Sequence, residues 1–133
     1  MNFAAMNPWA VLVTVLVTMA VGFVWYSPSV LGNAWMQHRG LKKEDMNSSA
    51  GPMVGTMVLA VVSVLVCALL VQLAGADDLL SGLGLGLLLA VLVSARIGTN
   101  YFFEGGRLVL FGITAGYHAV TLVLAGAILA LWR

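Results

Sequence analysis

The chain has 133 residues, of which 62% are hydrophobic and 8% charged, with a mean hydropathy of +1.04 and a formal net charge of +1. A soluble domain carries roughly a quarter of its residues as Asp, Glu, Lys and Arg, so lipid must be the solvent for most of this surface. The few basic residues offer no clustered face for a nucleic acid, and the lone Cys67 excludes both an intramolecular disulfide and metal ligation by cysteines.

A membrane-crossing helix needs about 20 mostly apolar residues. The chain offers four such runs, at about 8–26, 52–75, 79–103 and 108–132. The first opens on Pro8 and has neither the positive flank nor the small-residue cleavage site of a signal peptide, so it reads as a retained helix. Its end, Trp25-Tyr26, carries ring systems suited to the membrane–water boundary, as do Trp9, Tyr101 and Trp132.

After this span comes "SPSVLGNAWMQHRGL", in which Leu31, Ala34, Trp35 and His38 recur at helical spacing. With Ser27 as N-cap, Pro28 in the first turn and Gly40 as a stop, the pattern predicts an interfacial amphipathic helix over about 28–39. Its apolar face would lie in lipid, with Trp35 as an anchor beside Trp25 and Tyr26. "KKEDMNSSAG" follows as a solvated turn, and Pro52 opens the second span where a missing amide hydrogen costs no helical bond. Cys67, inside that span, reads as a small buried hydrophobe.

"GADD" separates spans two and three, and "EGGR" separates three and four. Both are short, which predicts antiparallel hairpins. The expected architecture is therefore an all-α integral membrane protein, one transmembrane domain over 1–133, with four spans in two antiparallel hairpins plus the interfacial helix. Arg39, Lys42, Lys43 and Arg107 flank one side, against Arg133 and the acidic Asp77 and Asp78 on the other. The positive-inside rule then puts the basic side in the cytoplasm and both termini outside.

Helices in lipid associate through close backbone contact at small residues. Gly51/Gly55, Gly82/Gly86 and Gly112/Gly116 each stand four apart, and Gly112, Gly116 and Ala119 would line one groove on span four.

Arg96 lies about 10 Å inside the end of span three, at 1.5 Å per residue. Placing a guanidinium at membrane depth costs about 2.5–3.5 kcal/mol on the lenient insertion scale. At similar depth fall Thr14, Thr18, Ser63, Asn100, Thr114, Tyr117, His118 and Thr121, which predicts a polar layer drawn from four helices. Arg96 and Asn100 share one stripe of span three, and Thr114, Tyr117 and His118 share one of span four. No Asp or Glu falls in the layer. Three solutions for Arg96 stand open: snorkelling to headgroups, bonding to Asn100, Thr114 and carbonyls within the bundle, or facing an anionic ligand, a lipid phosphate or a partner's carboxylate. His118, beside Tyr117, has no second intramembrane histidine or carboxylate, so a metal or haem site within one chain is not expected. A hydrogen bond to Ser63 or to a span-three carbonyl is the simpler expectation.

No nucleophile–base–acid set, zinc motif or phosphate-cradling loop is present, and "GLGLG" at 82–86 sits inside an apolar span with no preceding strand. No enzymatic activity is expected, and no cofactor is specified. Two readings follow: a packing or accessory subunit of a larger membrane complex or homo-oligomer, with other membrane subunits or itself as partner; or a small transporter or lipid/anion-binding protein using the layer around Arg96 and His118.

"GFVWYSPSVLGNAWM" together with "NYFFEGGRLVLFGITAGYHAVTLVLAGAILALW" resembles the bacterial membrane family catalogued as domain of unknown function 1761. The likeness spans nearly the whole chain and is most specific at Trp25, Tyr26, Ser27, Pro28, Gly32 and Trp35, and at Gly116, Tyr117 and His118. Thr114 stands where the family usually has Asn. The resemblance implies a small four-helix protein of the bacterial inner membrane and carries no established activity or catalytic residue.

Overall fold

The computed structural model describes residues 6–42, 44 and 50–132. Lys43, Arg133 and most of the expected 42–51 turn lie outside the described residues. The described chain is all-helical: α1 is Pro8–Trp25, α2 Gly32–Arg39, α3 Ala50–Ala74, α4 Leu79–Phe103 and α5 Leu108–Leu131. α1, α3, α4 and α5 are each long and apolar enough to cross a membrane, so the molecule is an all-α, multi-pass membrane protein.

Local chemistry sets the helix ends. Asn7 caps α1 by accepting from the backbone N–H groups of Trp9 and Ala10 at 3.0 and 3.4 Å, ahead of Pro8, whose missing donor costs nothing there. α2 starts at Gly32, four residues later than the spacing suggests. Ser27 does not cap it; its hydroxyl donates to the Val24 carbonyl at 2.7 Å. A tight turn intervenes, in which the amides of Leu31 and Gly32 donate to the carbonyls of Trp25 and Ser27. Gly32 is needed there, because a Cβ would collide with the Tyr26 carbonyl. The stop at Gly40 is a left-handed cap with φ 71°. Gly40 and Leu41 donate to the carbonyls of Gln37 and Met36, the two reverse bonds that close a helix C-terminus.

Asp78 begins α4 with a reciprocal cap: Ser81 N–H donates to its carboxylate at 2.7 Å, and its own N–H donates to the Ser81 hydroxyl at 3.2 Å. The Ser81 N–H bond foremost, and then the Ser81 hydroxyl donating to the carboxylate at 2.8 Å, hold the carboxyl below the usual aspartate range. A depressed folded pKa stabilises above the unfolded value, and that contribution is lost as pH falls through the folded one. The first turn of α4 is therefore expected to loosen on acidification, and Asp78→Ala to loosen it already at neutral pH. Amide exchange at Leu80 and Ser81 reads both effects; exchange unchanged in the variant would show that the cap is idle.

α5 is the central helix, packed against α1, α2, α3 and most extensively α4, while α1 also meets α3. Only one of the two expected hairpins is a packed pair. α4 and α5 run tightly together, whereas α3 and α4, though joined by four residues, do not pack closely along each other; both lean on α5. Glycine decides this. The missing side chains of Gly82, Gly86 and Gly126 let the backbones of α4 and α5 touch: a Cβ on Gly86 would stand 2.5 Å from the Leu122 carbonyl oxygen, and one on Gly126 would overlap the Gly82 carbonyl. α3 offers α4 no such smooth face, since Gly51 and Gly55 look into open space.

The core gathers Ala10, Val15, Val64, Cys67, Ala68 and Val71 against Leu122, Ala125, Leu129 and Ala130. It lies toward the end of the bundle that holds the α3–α4 turn. At the opposite end every residue from Ala50 to Leu59 is exposed, so α3 splays outward and the bundle opens beside α2.

Candidate functional site

At that open end the chain assembles its aromatic side chains. Trp25 turns inward onto α5, and its indole N–H donates to the Ile113 carbonyl at 3.0 Å, across 88 residues of sequence. Its ring lies where a Cβ on Gly116 would be, at 2.9 Å, so Gly116 is the seat of the indole. Tyr26 packs on Trp35 of α2 edge-on, centroids 5.9 Å apart, and on Tyr117 of α5 at 5.5 Å. Tyr117 in turn meets His118 at 5.1 Å, and Gly22 makes room for the Tyr117 ring. The Tyr101 hydroxyl, from the end of α4, bonds the Thr114 hydroxyl at 3.2 Å. All three tyrosines of the sequence thus converge around Thr114 and Tyr117.

Two cavities flank this cluster. The larger, about 890 Å³, opens between α2 and the bundle and is lined by Tyr26, Trp35, Met36, Arg39, Tyr101 and Thr114, among others. The smaller, about 340 Å³, lies at membrane depth among α1, α3 and α5, where Thr18, Ser63, Tyr117, His118 and Thr121 meet. Thr56 borders both, and the contacting Tyr26 and Tyr117 border one each.

The expected polar layer is only partly assembled. Tyr117 and His118 come together with Thr18, Ser63 and Thr121, while Thr114 lies in the wall of the larger cavity; Arg96 and Asn100 join neither group, and both are exposed on the outer face of α4. Helix phase is the cause. Gly82, Gly86, Ala90 and Gly98 are the buried stripe of α4, and Arg96 sits about 200° around the axis from Gly98 at 3.6 residues per turn. Backbone contact at the glycines fixes the rotation, and the polar stripe is carried outward with it.

Two hydroxyls of the layer, Thr14 and Thr121, are satisfied within their own helices, as are Thr56 and Thr99 nearby. Thr14 donates to Ala10, Thr56 to Pro52, Thr99 to Ala95 and Thr121 to Tyr117, each to a carbonyl one turn earlier at 2.7–3.0 Å. His118 lies in the cavity wall with Ser63, yet no hydrogen bond joins them among the described residues, so that expectation is not met. His38 bonds the Ala34 carbonyl of its own helix at 2.8 Å.

The groove expected from Gly112, Gly116 and Ala119 does not form either. Gly112 faces open space, while Gly116 holds an indole instead of a helix backbone. Gly126, the closest partner of Gly82, has no glycine four residues away and was not signalled by spacing; the small-residue run Ala125-Gly126-Ala127 with Ala130 marked it. Trp25, Tyr26 and Trp35, expected as interfacial anchors, are half-buried, with Trp25 bonded to α5 and Tyr26 packed on Trp35 and on Tyr117. Rings that carry a polar atom suit both such packing and a boundary depth.

Among the described residues no carboxylate lines either cavity, and no three His, Cys, Asp or Glu side chains cluster. The fold and site define a small multi-pass helical membrane protein whose two motif-bearing segments, Trp25–Trp35 and Gly116–His118, meet across α5. A family model described as "Protein of unknown function (DUF1761)" matches residues 9–130, and the chain belongs to that family. No curated protein and no solved structure matches it.

Proposed function

We propose that the chain is a non-enzymatic membrane subunit that works in lateral contact with another membrane protein or with its own copies. The observation that carries this reading is the outer face of α4. Ala95, Arg96, Thr99 and Asn100 are exposed there; Arg96 lies about 10 Å from the helix end at Phe103 and has no hydrogen bond or ion pair among the described residues. A guanidinium at that depth needs a headgroup, water or an acidic partner. The flanking Ala95 and Thr99 would let a partner helix come close. An inner-membrane setting with the Arg39 and Arg107 end in the cytoplasm and both termini outside is part of the same proposal, supported by the excess of Lys and Arg in the sequence flanking that end.

The alternative of a small transporter or anion-binding protein draws on the cavity beside His118. It loses its anion-recognising group, because Arg96 does not line that cavity.

Mass measurement of the assembly released from native membranes tests the proposal. The wild-type chain is expected as a multiple of itself or with a second polypeptide. Arg96→Leu, which removes no hydrogen bond or ion pair among the described residues, is expected to weaken that association 100-fold or more, since breaking a buried ion pair costs about 3–5 kcal/mol. A wild-type monomer without any bound polypeptide would refute lateral assembly.

A further inference from the structure

The open end of the bundle carries a second unassigned feature, independent of the α4 face. α2 stands over the splayed start of α3 and encloses the cavity of about 890 Å³, a volume in the range of small-molecule sites. Its walls are chiefly rings, Met36 and two prolines. Arg39 is the one charged side chain on that wall among the described residues. Its guanidinium carbon lies 5.6 Å from the centre of the Trp35 ring, a cation–π contact that holds the head at the cavity mouth. No carboxylate pairs with it among the described residues. Arg39 also borders an adjoining cavity of about 390 Å³ shared with Asn100, Tyr101 and Glu104. Glu104 would repel an anion there, which confines anion binding to the Trp35 side.

The geometry points to a binding site for an anionic phospholipid, with an acyl chain between α2 and the aromatic cluster and the phosphate on Arg39. Three observations select this occupant. The wall is too apolar for a free ion, and one exposed arginine alone holds an ion weakly. Trp35, Tyr26 and Tyr101 place the mouth at the level where rings meet headgroups. A basic residue at a pocket between membrane helices is the arrangement that captures acidic headgroups. Tyr101 and Thr114 hydroxyls, bonded to each other, stand in the wall as polar contacts for the glycerol region.

Native mass spectrometry of the delipidated full chain in detergent tests this, with dioleoylphosphatidylglycerol and dioleoylphosphatidylcholine added in parallel. The anionic lipid is expected to form its adduct at least about fivefold more tightly, the value of one basic residue near a headgroup. Arg39→Gln, at an exposed position, should bring the two lipids to within about twofold of each other. Met36→Trp fills the cavity while keeping Arg39, and should weaken both adducts about fivefold or more. An excess of inorganic phosphate should leave the adduct in place. Equal binding of the two lipids by the wild type, an unchanged preference in Arg39→Gln or unchanged binding in Met36→Trp each overturns the site. Displacement by inorganic phosphate would make it a free-anion site, and retention of a second copy of the chain instead of lipid would make it a protein interface; either result overturns the lipid assignment. Loss of the lipid preference with the assembly mass unchanged would sink this inference and leave the α4 proposal standing.

Discussion

Gly126→Leu is expected to separate α4 from α5. The position has a backbone carbonyl, not a movable side chain, where the new Cβ would go. Overpacking a close contact costs about 1–3 kcal/mol and more where the neighbour cannot yield; here the helices themselves would have to move apart, so about 3 kcal/mol is expected. α4 has almost no other support, because α5 is its main partner. Unfolding by sodium dodecyl sulfate from mild detergent, followed by tryptophan fluorescence, measures the loss. Gly112→Leu is the control: nothing lies within 4 Å of a Cβ there, and the midpoint should stay near wild type. Equal shifts in both variants would contradict a specific backbone contact at Gly126.

The second large effect is expected at Trp25. Trp25→Ala removes the indole that fills the seat over Gly116 and the bond to Ile113. Truncating a packed aromatic costs about 3–5 kcal/mol, and the half-buried position puts this one near the lower end. Trp25→Phe keeps a ring and loses the donor, so about 1 kcal/mol is expected; the Ile113 carbonyl still has its helical bond. The same unfolding measurement ranks the three proteins, and faster amide exchange at Thr114 to Tyr117 would localise the damage. Were Trp25→Ala no weaker than Trp25→Phe, the ring would be a lipid-facing anchor after all.

Much of the fold was legible from composition and punctuation. The four spans were found within two residues at each end, because apolar length, Pro8 and the short turns GADD and EGGR act locally. The site was legible only in fragments. Trp25, Tyr26 and Trp35 were recognised as membrane-boundary residues, and Thr114, Tyr117 and His118 as a stripe, but nothing in their spacing said that the two groups touch. Arg96 misled for a related reason. Its depth could be counted from the helix end, but its direction depends on how α4 is rotated.

The sequence by itself determined which segments cross the membrane, where each begins and stops, and which helix faces are small, aromatic or polar. Only the tertiary structure decided which face meets which neighbour. In lipid no hydrophobic gradient turns one face inward, so rotation is set by where two backbones fit most closely. For α4 that place is Gly82 and Gly86 against Gly126, and it sends Arg96 and Asn100 outward. For α1 it is the notch at Gly116, which seats the Trp25 indole against α5.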